Sequence, residues 1–285
     1  MGTASSTAAP ERTRWPRLVA APQAPLRLLL PRGYVGFNQA TAPRHLDLPA
    51  TTSIPLVVKT VDSRHRPAAF AMGAPGSITV LKGACAPFLL EVLLAPLGAY
   101  RPLGQPIAEL GGRPLDLVEV LGGDGRRLAE QLRDTPSWRQ RLALLDRFLL
   151  ERLDRGPRPS PEVGWAWQRL VATGGAVPIG QLAREVGWSH KHLLTRFRRQ
   201  VGLRPKTAAR LIRFDGVWRR LDRDRPLDWG RVAAEVGYAD QAHLAREFRQ
   251  FTGTTPTAFA AWTTPPGGDG ERPVNFVQDA LTAAS

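Results

Sequence analysis

Cysteine is almost absent from this chain of 285 residues: Cys85 stands alone. A single thiol cannot form an internal disulfide, which fits a reducing, cytoplasmic compartment. Long apolar runs are missing as well. The longest, Pro87–Tyr100, is too short to span a bilayer and contains Glu91, so no membrane association is expected. No apolar h-region follows the N-terminus, so no secretory signal is expected, and Met1-Gly2 with Ser6 matches the myristoylation pattern only loosely. Residues 1–159 hold only His45 and His65, too few for several histidines and a carboxylate to converge on a metal. Gly122-Gly123-Asp124-Gly125 lacks the Lys-Ser/Thr ending of a phosphate loop and reads as a turn. With no hydrolytic constellation either, the expectation is a protein without catalytic residues, metal or cofactor. Lysine is scarce too, at Lys59, Lys82, Lys191 and Lys206, so the net charge of +14 is carried by arginine.

Such a charge favours polyanionic partners through counterion release. It is not concentrated in one place. Residues 160–262 hold 17 basic against 9 acidic side chains and residues 1–159 hold 21 against 13, so each segment carries +8. Richness in Arg, Ala, Gly and Pro also follows a GC-rich coding bias, and charge alone does not identify a binding face.

The informative feature is a repeat. Gln181-Leu182-Ala183-Arg184-Glu185-Val186-Gly187-Trp188-Ser189, with His192-Leu193, Arg196-Phe197-Arg198 and Gly202-Leu203-Arg204-Pro205, returns about fifty residues later. The second copy is Val232-Ala233-Ala234-Glu235-Val236-Gly237-Tyr238, with Asp240, His243-Leu244, Phe248-Arg249 and Gly253-Thr254-Thr255-Pro256. Ala239 lengthens the second turn by one residue. Each copy reads as helix, glycine turn, helix. Leu182, Ala183 and Val186 form the apolar face of one first helix, and Val232, Ala233 and Val236 that of the other. Gly187 and Gly237 suit a left-handed position past a helix end, and Ser189 and Asp240 supply side-chain acceptors for the next helix start. At about 100° per residue, Leu193 and Phe197, and Leu244 and Phe248, share one face. Lys191, Thr195 and Arg198, and Ala242, Arg246 and Arg249, share the other. Pro205 to about Leu221 reads as one connecting helix with a stripe of Ala208, Leu211, Ile212, Val217 and Leu221.

Residues 1–22 are rich in Ala, Pro, Ser and Thr and are expected to be disordered. From residue 26 to about 96, short apolar runs are broken by Pro and Gly. Arg27–Leu30, Tyr34–Asn38, His45–Leu48, Pro55–Val61, Ala68–Met72, Ile78–Leu81 and Phe88–Leu94 read as strands of a sandwich or barrel. Helices are expected at Leu97–Leu103, Arg126–Arg133 and Ser137–Asp154. The last carries a stripe of Trp138, Leu142, Leu145, Phe148, Leu149 and Leu153, which packs against the β-rich part or, alternatively, dimerises. Arg141 at its edge is expected to keep its charge in water. Gly156-Pro157-Arg158-Pro159-Ser160-Pro161 reads as a stiff linker. The expected organisation is therefore α+β: a disordered 1–22, a β-rich sensing or dimerisation domain over 23–158 with helices at its end, an all-α domain over 159–264, and a tail over 265–285.

The repeat resembles the AraC/XylS family of bacterial transcription regulators, on Gly187-Trp188-Ser189, His192-Leu193, Arg196-Phe197, Gly202 through Pro205, Gly237-Tyr238-Ala239-Asp240-Gln241, His243-Leu244, Phe248, Gly253 and Pro256. The resemblance covers roughly residues 162–262. It implies a double helix-turn-helix that binds double-stranded DNA, with recognition helices at about 190–201 and 241–251 in successive major grooves. Carried over by position, it implies base-reading sites at Lys191, Leu194 and Thr195 and at Gln241, Ala242, Ala245 and Arg246. His190, Arg196, Arg198, Arg199 and Arg249 join them as DNA-contacting residues. The sequence departs from the common pattern at Thr195, where arginine is frequent. The resemblance also implies a cupin-like N-terminal half that binds a small-molecule effector or dimerises, and allows RNA polymerase as a partner. Tyr34, Phe37, Phe70 and Phe88 are candidates to line an effector pocket. Leu94 through Tyr100, Leu103-Gly104, Pro106 and Val274 through Asp279 are similar to an uncharacterised subgroup of that family. Some such regulators transfer alkyl groups through a cysteine cluster, which a lone Cys85 cannot build, so it reads as a core residue with redox or ligand sensing as the alternative. An enzyme domain tethered to DNA is the alternative reading of the whole.

Overall fold

The computed structural model describes residues 17–38, 45–48, 50–59, 67–82, 88–220 and 227–263. The fold is α+β. Its strands are β1 (Arg17–Ala20), β2 (Tyr34–Asn38), β3 (His45–Leu48), β4 (Ile54–Lys59), β5 (Ala69–Ala71), β6 (Thr79–Lys82), β7 (Phe88–Leu94) and β8 (Leu115–Asp116). Six of them form an antiparallel sheet in the order β1-β2-β7-β4-β5-β8, and β3 pairs with β6 in a second, two-stranded sheet. In the register of β4 on β7, Ile54, Leu56 and Val58 stand opposite Leu94, Val92 and Leu90. All six are buried in one apolar cluster, as the two-residue period of a strand requires when one face is covered.

Helices cover that face. They are α1 (Pro96–Leu103), α2 (Leu117–Leu121), α3 (Gly123–Asp134) and α4 (Trp138–Arg155), together with 3-10 turns at Ala24–Leu26 and Ile107–Leu110. Leu145 and Leu149 of α4 lie in the sheet's apolar cluster with Ala99, Leu103, Ile107 and Leu128, so the centre of the α4 stripe is spent within the chain. A second apolar cluster, formed by residues from Val163 to Phe259 together with Ala50, holds α5 (Pro161–Ala172), α6 (Ile179–Glu185), α7 (His190–Val201), α8 (Pro205–Trp218), α9 (Trp229–Glu235), α10 (Gln241–Thr252) and α11 (Pro256–Thr263).

Four sequence expectations need correction. Arg27–Leu30 is not a strand: Leu26, Leu29 and Leu30 are buried while Leu28 is 87% exposed, which is the i, i+3, i+4 spacing of a helical turn. Residues 17–20, assigned to a disordered leader, pair with β2 from Arg17↔Phe37 to Ala20↔Tyr34. Arg141 does not reach water. It is buried, its Nε donates to the Leu132 carbonyl at 2.8 Å, its guanidinium lies over the Trp138 ring, and burial lowers its pKa. The glycine string at 122–125 is not a free turn but the junction of α2 and α3, with Asp124 and Gly125 already helical. Cys85, Leu221 and Val274 through Asp279 lie outside the described residues.

The sheet and its helical cover are joined by a buried polar pair. Tyr34 on β2 donates its hydroxyl to Asp146 Oδ1 on α4 at 2.6 Å, and burial, followed by the Asp146 carboxylate, raises the phenol's pKa. Removing one partner of a buried hydrogen bond costs more than the net value of the bond, because the other partner stays desolvated. Tyr34→Phe is expected to destabilise the fold by about 1–3 kcal/mol in urea unfolding, whereas Leu28→Ser, on an exposed side chain, should stay within about 0.5 kcal/mol.

Candidate nucleic-acid interface

The two copies of the repeat fold alike, and the likeness extends to backbone detail. After α6, Gly187 takes φ +70° and Trp188 N–H returns to the Ala183 carbonyl at 2.9 Å. After α9, Gly237 takes φ +82° and Tyr238 N–H returns to the Ala233 carbonyl at the same distance. Only glycine adopts this left-handed conformation without a Cβ clash. Ser189 Oγ then accepts from His192 N–H at 3.2 Å, and Asp240 Oδ1 from His243 N–H at 2.6 Å, starting α7 and α10. Trp188 meets His192 edge-on at 4.5 Å, and Tyr238 meets His243 at 5.2 Å. The paired histidines thus pack against the aromatic residue that follows each glycine.

Leu193, Phe197, Leu244 and Phe248 are fully buried, which fixes the rotation of each second helix. The opposite faces point out. His190, Lys191, Thr195, Arg198 and Arg199 on α7, and Gln241, Ala242, Arg246 and Arg249 on α10, are exposed; Leu194, Arg196 and Ala245 are half-buried at the margins. Thr195 Oγ1 donates to its own helix at Lys191 O, 3.0 Å away, leaving only its lone pairs outward. Among the described residues, none of Lys191, Arg196, Arg198, Arg199, Arg246 and Arg249 forms a salt bridge. Their neighbours do: Arg220 and Arg231 both hold Glu235, at 2.9 and 2.8 Å, and Arg169 approaches Glu185. Those bonds draw the Glu235 pKa down, the Arg231 hydrogen bond most. The carboxylates of the first helices are thereby neutralised by local partners.

The N-terminal half meets both second helices at their C-terminal ends. A Cβ on Gly202 would stand 2.5 Å from Ile107 Cγ2, and one on Gly253 would stand 2.8 Å from Ile78 Cδ1. Ala50 N–H donates to the Phe251 carbonyl at 2.8 Å and Ile78 N–H to the Gln250 carbonyl at 3.3 Å, so the end of α10 finds partners outside its own unit. Gln200 of α7 is buried and accepts from Ser160 N–H at 2.9 Å. Both α1 and the 107–110 turn pack on α7.

A groove of ≈ 910 Å³ opens between that turn and α7. One wall is Pro106, Ala108 and Glu109; the other is His190, Lys191, Leu194, Thr195, Arg198 and Arg199, with Arg204 at one end. Twelve sequence-derived positions are thus brought to the outer faces of α7 and α10, and the α7 face has a neighbour that sequence reasoning missed. Arg204 belongs to the Gly202–Pro205 motif, which by itself assigns it no role. Glu109 had no signal, because its place depends on how the two halves dock. Of the proposed effector aromatics, Tyr34 and Phe70 are core residues at 1% and 2% exposure, and Phe37 and Phe88 stand on β2 and β7. Among the described residues, no helix is long and apolar enough to cross a membrane.

Residues 182–261 match a family model described as a helix-turn-helix domain. Over 90 residues the chain is 32% identical to an uncharacterized HTH-type transcriptional regulator, YbfI, of Bacillus subtilis, spanning 31% of this chain and 32% of that protein. The chain therefore spans about a third of the length of this curated relative. Among solved structures, ToxT from Vibrio cholerae aligns over 80% of this chain and 96% of its own at 8% identity and a TM-score of 0.41. The C-terminal domain of AraT, a response regulator from Geobacillus stearothermophilus, aligns over 41% and 97% at 19% identity and a TM-score of 0.35. Superpositions this loose say nothing about function.

The helix joining the two units holds a titratable group. Asp215 on α8 keeps some residue surface, yet its carboxyl is enclosed, and burial pushes its pKa from 3.8 up to about 8 against the opposing pull of Arg32 and Arg219. A group whose folded value is raised contributes stability below its unfolded value and loses it as pH rises through the folded one. Asp215→Asn should therefore melt above wild type at pH 9, with the gap closing toward pH 5; a gap independent of pH would show that this carboxyl does not titrate in that window.

Proposed function

We propose that the chain is an AraC-type, sequence-specific, DNA-binding transcription regulator of the bacterial cytoplasm that carries no catalytic activity, with residues 182–261 as its helix-turn-helix domain. One observation carries this reading: α7 and α10 stand on matching glycine turns and matching caps, hide matching aromatic faces, and expose basic faces without salt-bridge partners. Such a face is what a recognition helix presents to a major groove. The 14 residues of α8 rise about 21 Å at 1.5 Å each, which, with the widths of the two units, suits grooves about 34 Å apart.

In this reading Arg246 contacts a guanine edge, Gln241 a base near the start of α10, and Lys191 a base or phosphate, while Arg196, Arg198, Arg199 and Arg249 hold phosphates. A ligand of the N-terminal half would act by changing how that half sits on α7, and the two affinities would then change by one factor.

Two measurements test it. After selection of bound sequences from random duplexes, Arg246→Ala should lose about 1–3 kcal/mol at one base position only. Arg249→Ala should weaken all sequences alike and lower the salt slope by about one. Equal loss on specific and random DNA for Arg246→Ala would remove its reading role. The groove adds a second expectation: Glu109 stands across from Arg198, Arg199 and Arg204 and repels a phosphate strand there. Glu109→Gln should raise DNA affinity about two- to fivefold at low salt, the scale of exposed charge pairs, with the gain lost at high salt.

A further inference from the structure

A second concavity, of ≈ 690 Å³, lies away from both reading faces, between α1, α3, α4 and the start of the interdomain linker. Arg101, Arg127, Arg147, Arg152 and Arg155 line it against Asp124 and Glu151, leaving three positive charges in excess. Asp124 is already committed, bonding Arg127 and reaching Arg152 Nη1 at 2.9 Å. Arg152 is also held by the Pro102 carbonyl, and its guanidinium lies over the Phe148 ring. Arg101 donates through Nη2 to the Leu153 carbonyl, but its Nε is buried with no hydrogen-bond partner. Arg147 and Arg155 form no salt bridge among the described residues.

We infer that this cleft binds a small organic anion bearing two or more phosphate or carboxylate groups. Several guanidinium groups around one hollow repel each other until an anion sits among them, and their planar forks match carboxylate and phosphate oxygens in pairs. The volume is that of a small-molecule site. Duplex DNA fits poorly, because it would bring a broad convex surface against a concavity that also holds two carboxylates. The site does not depend on the DNA-binding reading, but its consequence does. Arg101 and Gly104 belong to the helix that packs on α7 and to its cap, and Gly156 is pressed against the Arg101 carbonyl so closely that a Cβ would stand 2.0 Å away. An occupant therefore touches both the linker and the helix that bear on the first recognition helix.

The test uses the full chain, calorimetry, and inorganic pyrophosphate and citrate as probes, at constant ionic strength. Wild type should bind at least one probe saturably, with a matching rise in melting temperature. Arg147→Ser combined with Arg155→Ser should weaken that binding tenfold or more, whereas Arg198→Ser, on the α7 face, should leave it unchanged. No saturable binding of either probe at millimolar concentration would overturn the inference, as would loss of binding in Arg198→Ser alone. Undiminished probe binding in the double variant would overturn it too, and if that variant also lost DNA affinity the patch would be a DNA contact instead. Because Arg147 and Arg155 are exposed, the double variant should melt like wild type without ligand. Should it melt lower, Arg147→Glu alone gives the same reading, with binding lost if the site is correct and kept if it is not.

Discussion

Phe214 of α8 meets three aromatic rings at once: Trp218 at 5.4 Å, Phe248 at 5.3 Å and Phe251 at 5.0 Å. Trp218 in turn meets Phe259 at 4.8 Å, and Trp229 meets Phe248 at 6.1 Å. Edge-to-face rings at these separations favour a few orientations, and the area they bury is large. This cluster joins the connecting helix, the second recognition helix, its bracing helix and α11. The direction in which α10 faces is therefore set by the same rings that hold its core side. A helix held by aliphatic side chains alone has more ways to rotate; one clamped at Phe248 and Phe251 has few.

The first unit is fixed differently. Phe197 has one aromatic neighbour among the described residues, Trp167 at 6.3 Å, and much of the support for α7 comes from the N-terminal half, at α1 and Ile107. Each second helix nevertheless ends on a glycine that lets an isoleucine of the N-terminal half come close, Ile107 at Gly202 and Ile78 at Gly253. The N-terminal half thus bears on both helices at one end, and a shift of that half cannot leave their relation untouched.

The C-terminal half was legible because its information is local. A glycine at a turn, a capping Ser or Asp three residues before the N–H it accepts, and apolar residues four apart each specify geometry without reference to the rest of the chain. The strands at Tyr34–Asn38, His45–Leu48 and Phe88–Leu94 were readable for the same reason. What failed depended on distant partners. Arg27–Leu30 is a short apolar run whose length alone does not separate a strand from a helical turn, and the burial of Leu26, Leu29 and Leu30 decides it. Arg141 was read as a surface residue because nothing nearby announces the Leu132 carbonyl. The strand at 17–20 follows from pairing with β2, and the apolar run Leu18-Val19-Ala20 is too short to mark a strand without that partner. The groove between Glu109 and α7 is the extreme case, since neither wall carries any mark of the other.

On the proposed DNA-binding reading, α7 and α10 differ in what they can recognise, and the difference follows from side-chain chemistry. On α10, Gln241 and Arg246 bring an amide and a guanidinium, both able to form paired hydrogen bonds to purine edges. On α7, Leu194 has no polar atom and Thr195 gives its hydroxyl proton to the Lys191 carbonyl, so Lys191 supplies the only donor at the three carried-over positions. A lysine is a point charge on a flexible stem, better suited to phosphate than to a base edge. Arg198 and Arg199 add further charge near the same face. If both helices enter DNA, the first contributes mainly affinity and salt dependence, and the second most of the discrimination.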